Sequence, residues 1–302
     1  MNKFNQTKGF TIVELLTVMS VIAILMGLLV PALQEVRRVA LETKQKAQFH
    51  AIDVAIEIFH SDEEEYPSST SKDDVTVGNG GIVTGAHRLT EALVGRDLQG
   101  YDPMLSWDVN TWQDTLDSDR SRQRRKGPYL NLENVGAFDA SYLYDNMTGD
   151  LYADGYDGDN PSPLLSDAFR RKKIQILDPN TGNVKTTVKS GSPILYFKAN
   201  RSGSEFIYDE APGDNQEAMR DGWVYNYYDN EAFFYCGTVK DPQLTGVHPF
   251  ETPENFYEAI WNPQITTLED GMPYNRDTYI LLSAGYDLQF GTADDIWNFG
   301  NE

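Results

Sequence analysis

Apolar residues crowd the front of the chain. From Leu15 to Leu33, 19 residues include only Thr17 and Ser20 as polar members. A helix of that length spans roughly 28 Å at about 1.5 Å per residue, close to the hydrocarbon thickness of a bilayer. The segment therefore predicts one membrane crossing. Lys3 and Lys8 also give it the basic front end of a secretory signal peptide, but "LVPALQEV" offers no small-x-small cleavage site, so that reading is the weaker. Lys3 and Lys8 on one side are matched by Arg37 and Arg38 on the other, so charge alone leaves the orientation open. Pro31 lacks the N–H that would bond the carbonyl of Gly27, which predicts a kink or a locally melted turn.

Past Leu33 the helical pattern runs without a breaker to Pro67. Val36, Ala40, Thr43, Ala47, Ala51, Val54 and Ile58 recur at spacings of three and four, predicting the apolar face of one long helix. In "AIDVAIEIF" only Asp53 and Glu57 are polar, so this half is expected to be enclosed by the rest of the protein. Asp62 to Glu65 reads as a solvated turn at the helix end.

Strand patterns return late in the chain. "SPILYFKA" (192–199), "WVYNYYD" (223–229), "AFFYCGTV" (232–239) and "TYILLSAG" (278–285) are rich in β-branched and aromatic residues and bounded by turn formers. They predict an antiparallel sheet covering the apolar half of the helix. Between 68 and about 190 Gly-rich, Asp-rich and basic stretches alternate without a repeat, which reads as short helices and loops. The fold class expected is α+β: a long N-terminal helix, half transmembrane and half amphipathic, packed on a C-terminal antiparallel sheet, with a large irregular insertion.

Charge narrows the partners. Twenty-five basic against 46 acidic side chains leave a net charge of −21, which argues against nucleic acid and against adhesion of the head to anionic lipid. The basic clusters Arg120 to Lys126 and Arg170 to Lys173 read either as solvated surface or as docking patches for the acidic head of a neighbouring subunit. Cys236 is the only cysteine, so no intrachain disulfide or thiolate zinc site can form. The chain has no nucleophile elbow, Walker loop, zinc-protease motif or dinucleotide fingerprint, and its four histidines are scattered, so no enzyme is expected.

Two acidic stretches bear on cations. Asp145, Asp150, Asp154, Asp157 and Asp159 miss the EF-hand spacing and offer no closing Glu. "SAGYDLQFGTADDIWNFG" (283–300) sets Asp287, Asp294 and Asp295 among Gly285 and Gly291 with no Lys or Arg. That composition fits a Ca²⁺ loop, since the ion takes carboxylates mixed with carbonyls that a glycine-bent backbone turns inward. The alternative is an acidic loop with no bound ion.

The string "GFTIVELL" resembles the type IV pilin-like family, which includes the pseudopilins of type II secretion. The resemblance implies that a leader, Met1 to Gly9, is removed by a prepilin peptidase, that cleavage falls after Gly9, and that Phe10 is N-methylated. Glu14 would then be the fifth residue of the mature chain. A carboxylate in a hydrocarbon span costs about 2.5–3.5 kcal/mol at mid-bilayer and less near the interface, so it needs a partner. The amine newly exposed on Phe10, or that of a neighbouring subunit, would supply one and set the register between subunits. The alternative is an interfacial Glu at headgroup level. Residues 283–300 are similar to the C-terminal calcium loop of major pseudopilins through Ser283, Gly285, Asp287, Gly291 and Asp295-Ile296, with Leu288 where that family usually has Gly. By this resemblance Asp287 and Asp294 or Asp295 supply side-chain ligands. "DPNTGNVKTTVKSGSPILYFKA" is loosely similar to the stretch that precedes a strand in the family.

The resulting expectation is a leader at 1–9, a stem helix at 10–62 crossing the membrane at about 10–33, and a periplasmic head at 63–302. The function implied is a structural subunit of a type II secretion filament, held in the inner membrane by a single pass until assembly. Its partners would be copies of itself, other pseudopilins, the prepilin peptidase and the inner-membrane assembly platform, with calcium as cofactor. The alternatives are a surface type IV pilin or competence pseudopilin, or a membrane-anchored binding or hydrolytic domain that never polymerises.

Overall fold

One helix, α1 (Ile12–Glu63), runs for 52 residues, because nothing between its ends breaks the 3.6-residue pattern decisively. The computed structural model describes residues 11–69, 83–105, 118–133, 135–144, 162–177, 183–203, 223–265 and 271–300. The chain divides into two units, Met1–Thr43 and Lys44–Glu302. In the first, every described residue through Ala40 is exposed, and α1 continues through Gly27 and Pro31 as helix, so the melted turn that the sequence allowed there does not form. Past Glu63 the backbone turns at Glu64, with φ of 63°, and Pro67 follows.

In the second unit α1 buries Gln45, Gln48, Phe49, Ile52, Ala55, Ile56 and Phe59. This corrects the predicted face: Val54 and Ile58 are 48% and 46% exposed, and Thr43 and Ala47 are exposed as well. The sequence stripe was chosen by spacing alone, whereas enclosure follows the larger side chains Phe49, Ile52, Ile56 and Phe59, each worth about 1.5–3 kcal/mol when buried. Gln45 belongs to that face because its side-chain oxygen accepts the Ala168 N–H at 2.7 Å. Asp53 accepts the Tyr279 hydroxyl at 3.0 Å, and Phe59 packs edge-on against Tyr101 and Tyr129. The acids at the helix end are engaged, not merely solvated: Glu63 pairs with Lys126 and Glu65 with Lys198.

The segment read as irregular contains regular structure. Helix α2 (Gly85–Val94) is almost wholly buried. Two short helices, α3 (Asp119–Arg124) and α4 (Ala140–Leu143), accompany it. Strands β1 (Gly136–Asp139) and β2 (Pro163–Ser166) pair antiparallel, and β3 (Lys172–Leu177) pairs antiparallel with β4 (Val184–Ser190). The β3–β4 hairpin escaped notice because its strands are Lys- and Thr-rich and mostly exposed, leaving little apolar alternation to read. Of the basic cluster at 120–126, Arg124 pairs with Asp102, Arg125 with Asp97 and Lys126 with Glu63, so much of it is spent within the chain.

The third sheet has the order β5-β6-β7, all antiparallel, from β5 (Leu195–Lys198), β6 (Tyr279–Ser283) and β7 (Ile296–Trp297). Two expected strands match β5 and β6. The other two do not form: 227–229 is a 3₁₀ turn and Glu231–Tyr235 is a helix, α5. Phe233 and Phe234 are both fully buried, which a helical turn permits and an alternating strand face does not. Asn226 caps the turn by accepting the Tyr228 N–H, and Asn230 joins Tyr196 of β5 to Ala86 of α2. A second 3₁₀ turn (Pro249–Glu251) and helix α6 (Pro253–Ala259) complete an aromatic core around Tyr227, Phe234, Phe250 and Phe256. The fold is thus mixed α+β, a long N-terminal helix with C-terminal antiparallel sheets.

Candidate functional sites at the two ends of the chain

Gly9 and Phe10 lie outside the described residues, as do Asp145, Asp150, Asp154, Asp157 and Asp159. Glu14 is placed in the first turn of α1, and its carboxylate accepts both the Thr11 N–H at 2.9 Å and the Thr11 hydroxyl at 2.7 Å. The Thr11 side chain accepts the Glu14 N–H in return, at 3.2 Å. This is a reciprocal capping box, in which two otherwise unsatisfied donors of a helix start are met. Thr11 was not singled out in the sequence, although Thr-x-x-Glu before an apolar run is its signature. The carboxylate therefore already serves a local purpose in one copy of the chain, while the helix behind it, from Ile12 to Leu33, has no covered residue. The helix is long and apolar enough to cross a membrane.

The second site is the connection from β6 to β7. Gly285 and Gly291 sit at φ of 64° and 98°, and a Cβ on Gly285 would collide with the Asp294 carbonyl. Leu288, at φ of 69°, occupies the left-handed region that favours Gly, and its side chain is buried. The turn thus keeps its geometry without the glycine, and burial of Leu288 holds it there.

Within this loop Asp294 Oδ2 accepts the N–H of Tyr286 at 2.6 Å and of Asp287 at 3.0 Å, and Oδ1 accepts the Thr292 hydroxyl at 2.7 Å. Burial works against the charge on Asp294, but the Thr292 hydroxyl and those two N–H groups hold it below the ordinary value. Asp287 moves the other way: burial and the adjacent Asp294 charge raise it, although Gln289 N–H donates to it. Asp295 accepts the Gly291 N–H at 2.7 Å, its other oxygen is buried without a partner among the described residues, and burial pushes it up to about 8.

The loop is tied down from outside. Ser283 donates to Asp167 Oδ2 at 3.0 Å, Phe290 N–H donates to His248 Nδ1 at 2.9 Å, and the Arg171 guanidinium lies 3.6 Å over the Tyr286 ring. Asp167 is fully buried, and burial pushes it up to about 7 against the N–H of Phe169 and the hydroxyl of Ser283.

The donor chemistry fits a hard cation: oxygen only, two mutually perturbing carboxylates, and one orphaned buried carboxylate oxygen beside them. Among the described residues no group of three His, Cys, Asp or Glu side chains converges as a ready metal site. A cation there would draw on the carboxylates of Asp287 and of Asp294 or Asp295 together with backbone carbonyls.

A family model described as "Prokaryotic N-terminal methylation motif" matches residues 4–30. No curated protein and no solved structure matches the chain. The match covers the Gly9–Phe10 junction, Thr11, Glu14 and most of the exposed apolar run, and supports a type IV pilin-like, prepilin-peptidase-processed protein. The chain carries a prepilin-type N-terminal methylation motif on a mixed α+β fold consistent with that of pilins, one long N-terminal helix followed by antiparallel sheets.

Proposed function

We propose that this chain is a structural subunit of a pilus-like filament of a type II secretion system, processed after Gly9, methylated on Phe10 and assembled through α1. The observation that carries the reading is the methylation motif standing at the head of a helical run whose described residues, from 11 to 40, are all exposed. Apolar surface of that extent is held by lipid before assembly and by other copies afterwards. The head then stands in the periplasm on a single inner-membrane pass. Glu14 changes partner in this scheme, from Thr11 of its own helix to the amino group of Phe10 on a neighbouring copy, a charge-assisted contact that fixes register.

Calcium is the proposed cofactor of the C-terminal loop. When bound it neutralises Asp287 and Asp294. The chain's own contribution is a turn fixed by Gly285, Leu288 and Gly291 and anchored by Asp167, His248 and Arg171. Binding to the folded head alone stabilises it by mass action, by about 2.7 kcal/mol at a hundredfold excess over Kd.

Deleting the gene tests the reading: secretion of exoproteins fails while surface fibres persist. Loss of surface fibres or of DNA uptake, with secretion intact, assigns the chain to a surface pilus or competence system instead.

A further inference from the structure

The β3–β4 hairpin departs from the charge of the chain that carries it. Residues 170–177 and 183–190 include Arg170, Arg171, Lys172, Lys173, Lys185 and Lys189 and no acid, in a protein of net charge −21. Pairing places Lys173 directly opposite Lys189 and Gln175 opposite Thr187, and all four are exposed on one face. Lys185, at the register shift, is exposed too. Like charges directly across two strands destabilise the pair. Among the described residues none of Lys173, Lys185 and Lys189 is matched by a carboxylate, whereas the basic cluster at 120–126 is largely matched within the chain.

We infer that this face docks on helix α6 of a second copy of the chain, Lys173 and Lys189 meeting Glu254 and Glu258. Those glutamates are exposed, four residues apart on one side of α6, and unpaired among the described residues. No Lys or Arg occurs in the stretch between Lys240 and Arg276 that carries them. The spacings match: directly opposed cross-strand residues stand about 4.5–5.5 Å apart at Cβ, and helical i, i+4 neighbours about 5–6 Å. A lipid surface or nucleic acid is disfavoured by the repulsion of the whole chain, which a local contact between copies escapes by matching patch to patch. Because the hairpin and α6 are different surfaces, the contact is head-to-tail, the class of contact that a filament of copies requires. The inference rests on the filament reading and specifies how heads contact one another.

The test uses the full-length chain in its host, with filaments released from the periplasm by opening the outer membrane, collected and quantified. Lys173→Glu with Lys189→Glu lowers fibre yield at least about tenfold, since like charges facing across an interface are strongly unfavourable. Adding Glu254→Lys and Glu258→Lys to the same chain restores it. Unchanged yield with the lysine pair reversed, or a loss that the second reversal fails to restore, overturns the proposal; the latter outcome assigns the hairpin to another anion. As a check independent of folding defects, Thr187→Cys with Asn255→Cys is treated with a bismaleimide, Cys236 being buried. Linked copies are expected, and their absence from intact fibres overturns the contact. If the unmodified chain yields no fibres at all, the filament reading itself fails and this proposal with it.

Discussion

The two parts of α1 are both apolar and have opposite surroundings. From Ile12 to Leu33 every side chain is open, whereas between Gln45 and Phe59 one face is closed by the head. Hydrophobicity fixes that a segment must be covered, and it leaves open what covers it. In the second part the cover is visible as named partners: Ala168 on Gln45, Tyr279 on Asp53, Tyr101 and Tyr129 on Phe59. In the first no described residue is covered, and the methylation motif at residues 4–30 points to lipid and then to other subunits.

Substitutions on the two parts should separate these roles. The largest effect is expected at Glu14. Glu14→Ala inserts normally into the membrane but lowers incorporation into fibres at least about tenfold, and it removes the capping-box acceptor of the Thr11 N–H. Glu14→Gln retains an oxygen for the Thr11 N–H while removing the charge. Fibre assembly that survives in Gln but fails in Ala shows the cap to be the essential function, and failure of both shows that the charge is.

Next in size is Ile52→Ala, which empties a fully buried site and destabilises the head by about 2–5 kcal/mol. Leu25→Ala, at a 61% exposed position, leaves the melting temperature of the head unchanged. Equal effects from the two would erase the distinction between the parts. Gln45→Leu strands the Ala168 N–H in the interior, at about 1–3 kcal/mol, read as a lowered denaturant midpoint.

A further effect concerns pH. Asp167 has a folded value of about 7, above that of an unfolded aspartate near 4, so the native state binds more protons over that interval and loses stability as pH rises through it. Asp167→Asn flattens the decline in melting temperature between pH 4 and 7. A decline of undiminished slope excludes Asp167 as its source.

How far the sequence was legible follows from the same contrast. The long helix, β5 and β6 declared themselves, because uninterrupted periodicity or a β-branched run such as "TYILL" has few competing readings. The aromatic stretch at 227–235 deceived because tyrosine and phenylalanine favour strands on average, while Asn226, which caps the turn, and Asn230, whose side chain ties the segment to Tyr196 and Ala86, decided the local outcome. The hairpin of Lys172–Leu177 and Val184–Ser190 hid behind polar side chains. The acidic loop was recognisable by composition, but its anchors, Asp167, Arg171 and His248, come from 42 to 116 residues away for the two hydrogen-bonded ones, and no local pattern announces them. Thr11 could have been read from Thr-x-x-Glu and was overshadowed by the more unusual Glu14.

Mass analysis of the N-terminus of the protein isolated from its host tests the central claim most directly. The account predicts a chain beginning at N-methylated Phe10. A fully functional protein that still carries Met1 to Gly9 would contradict it.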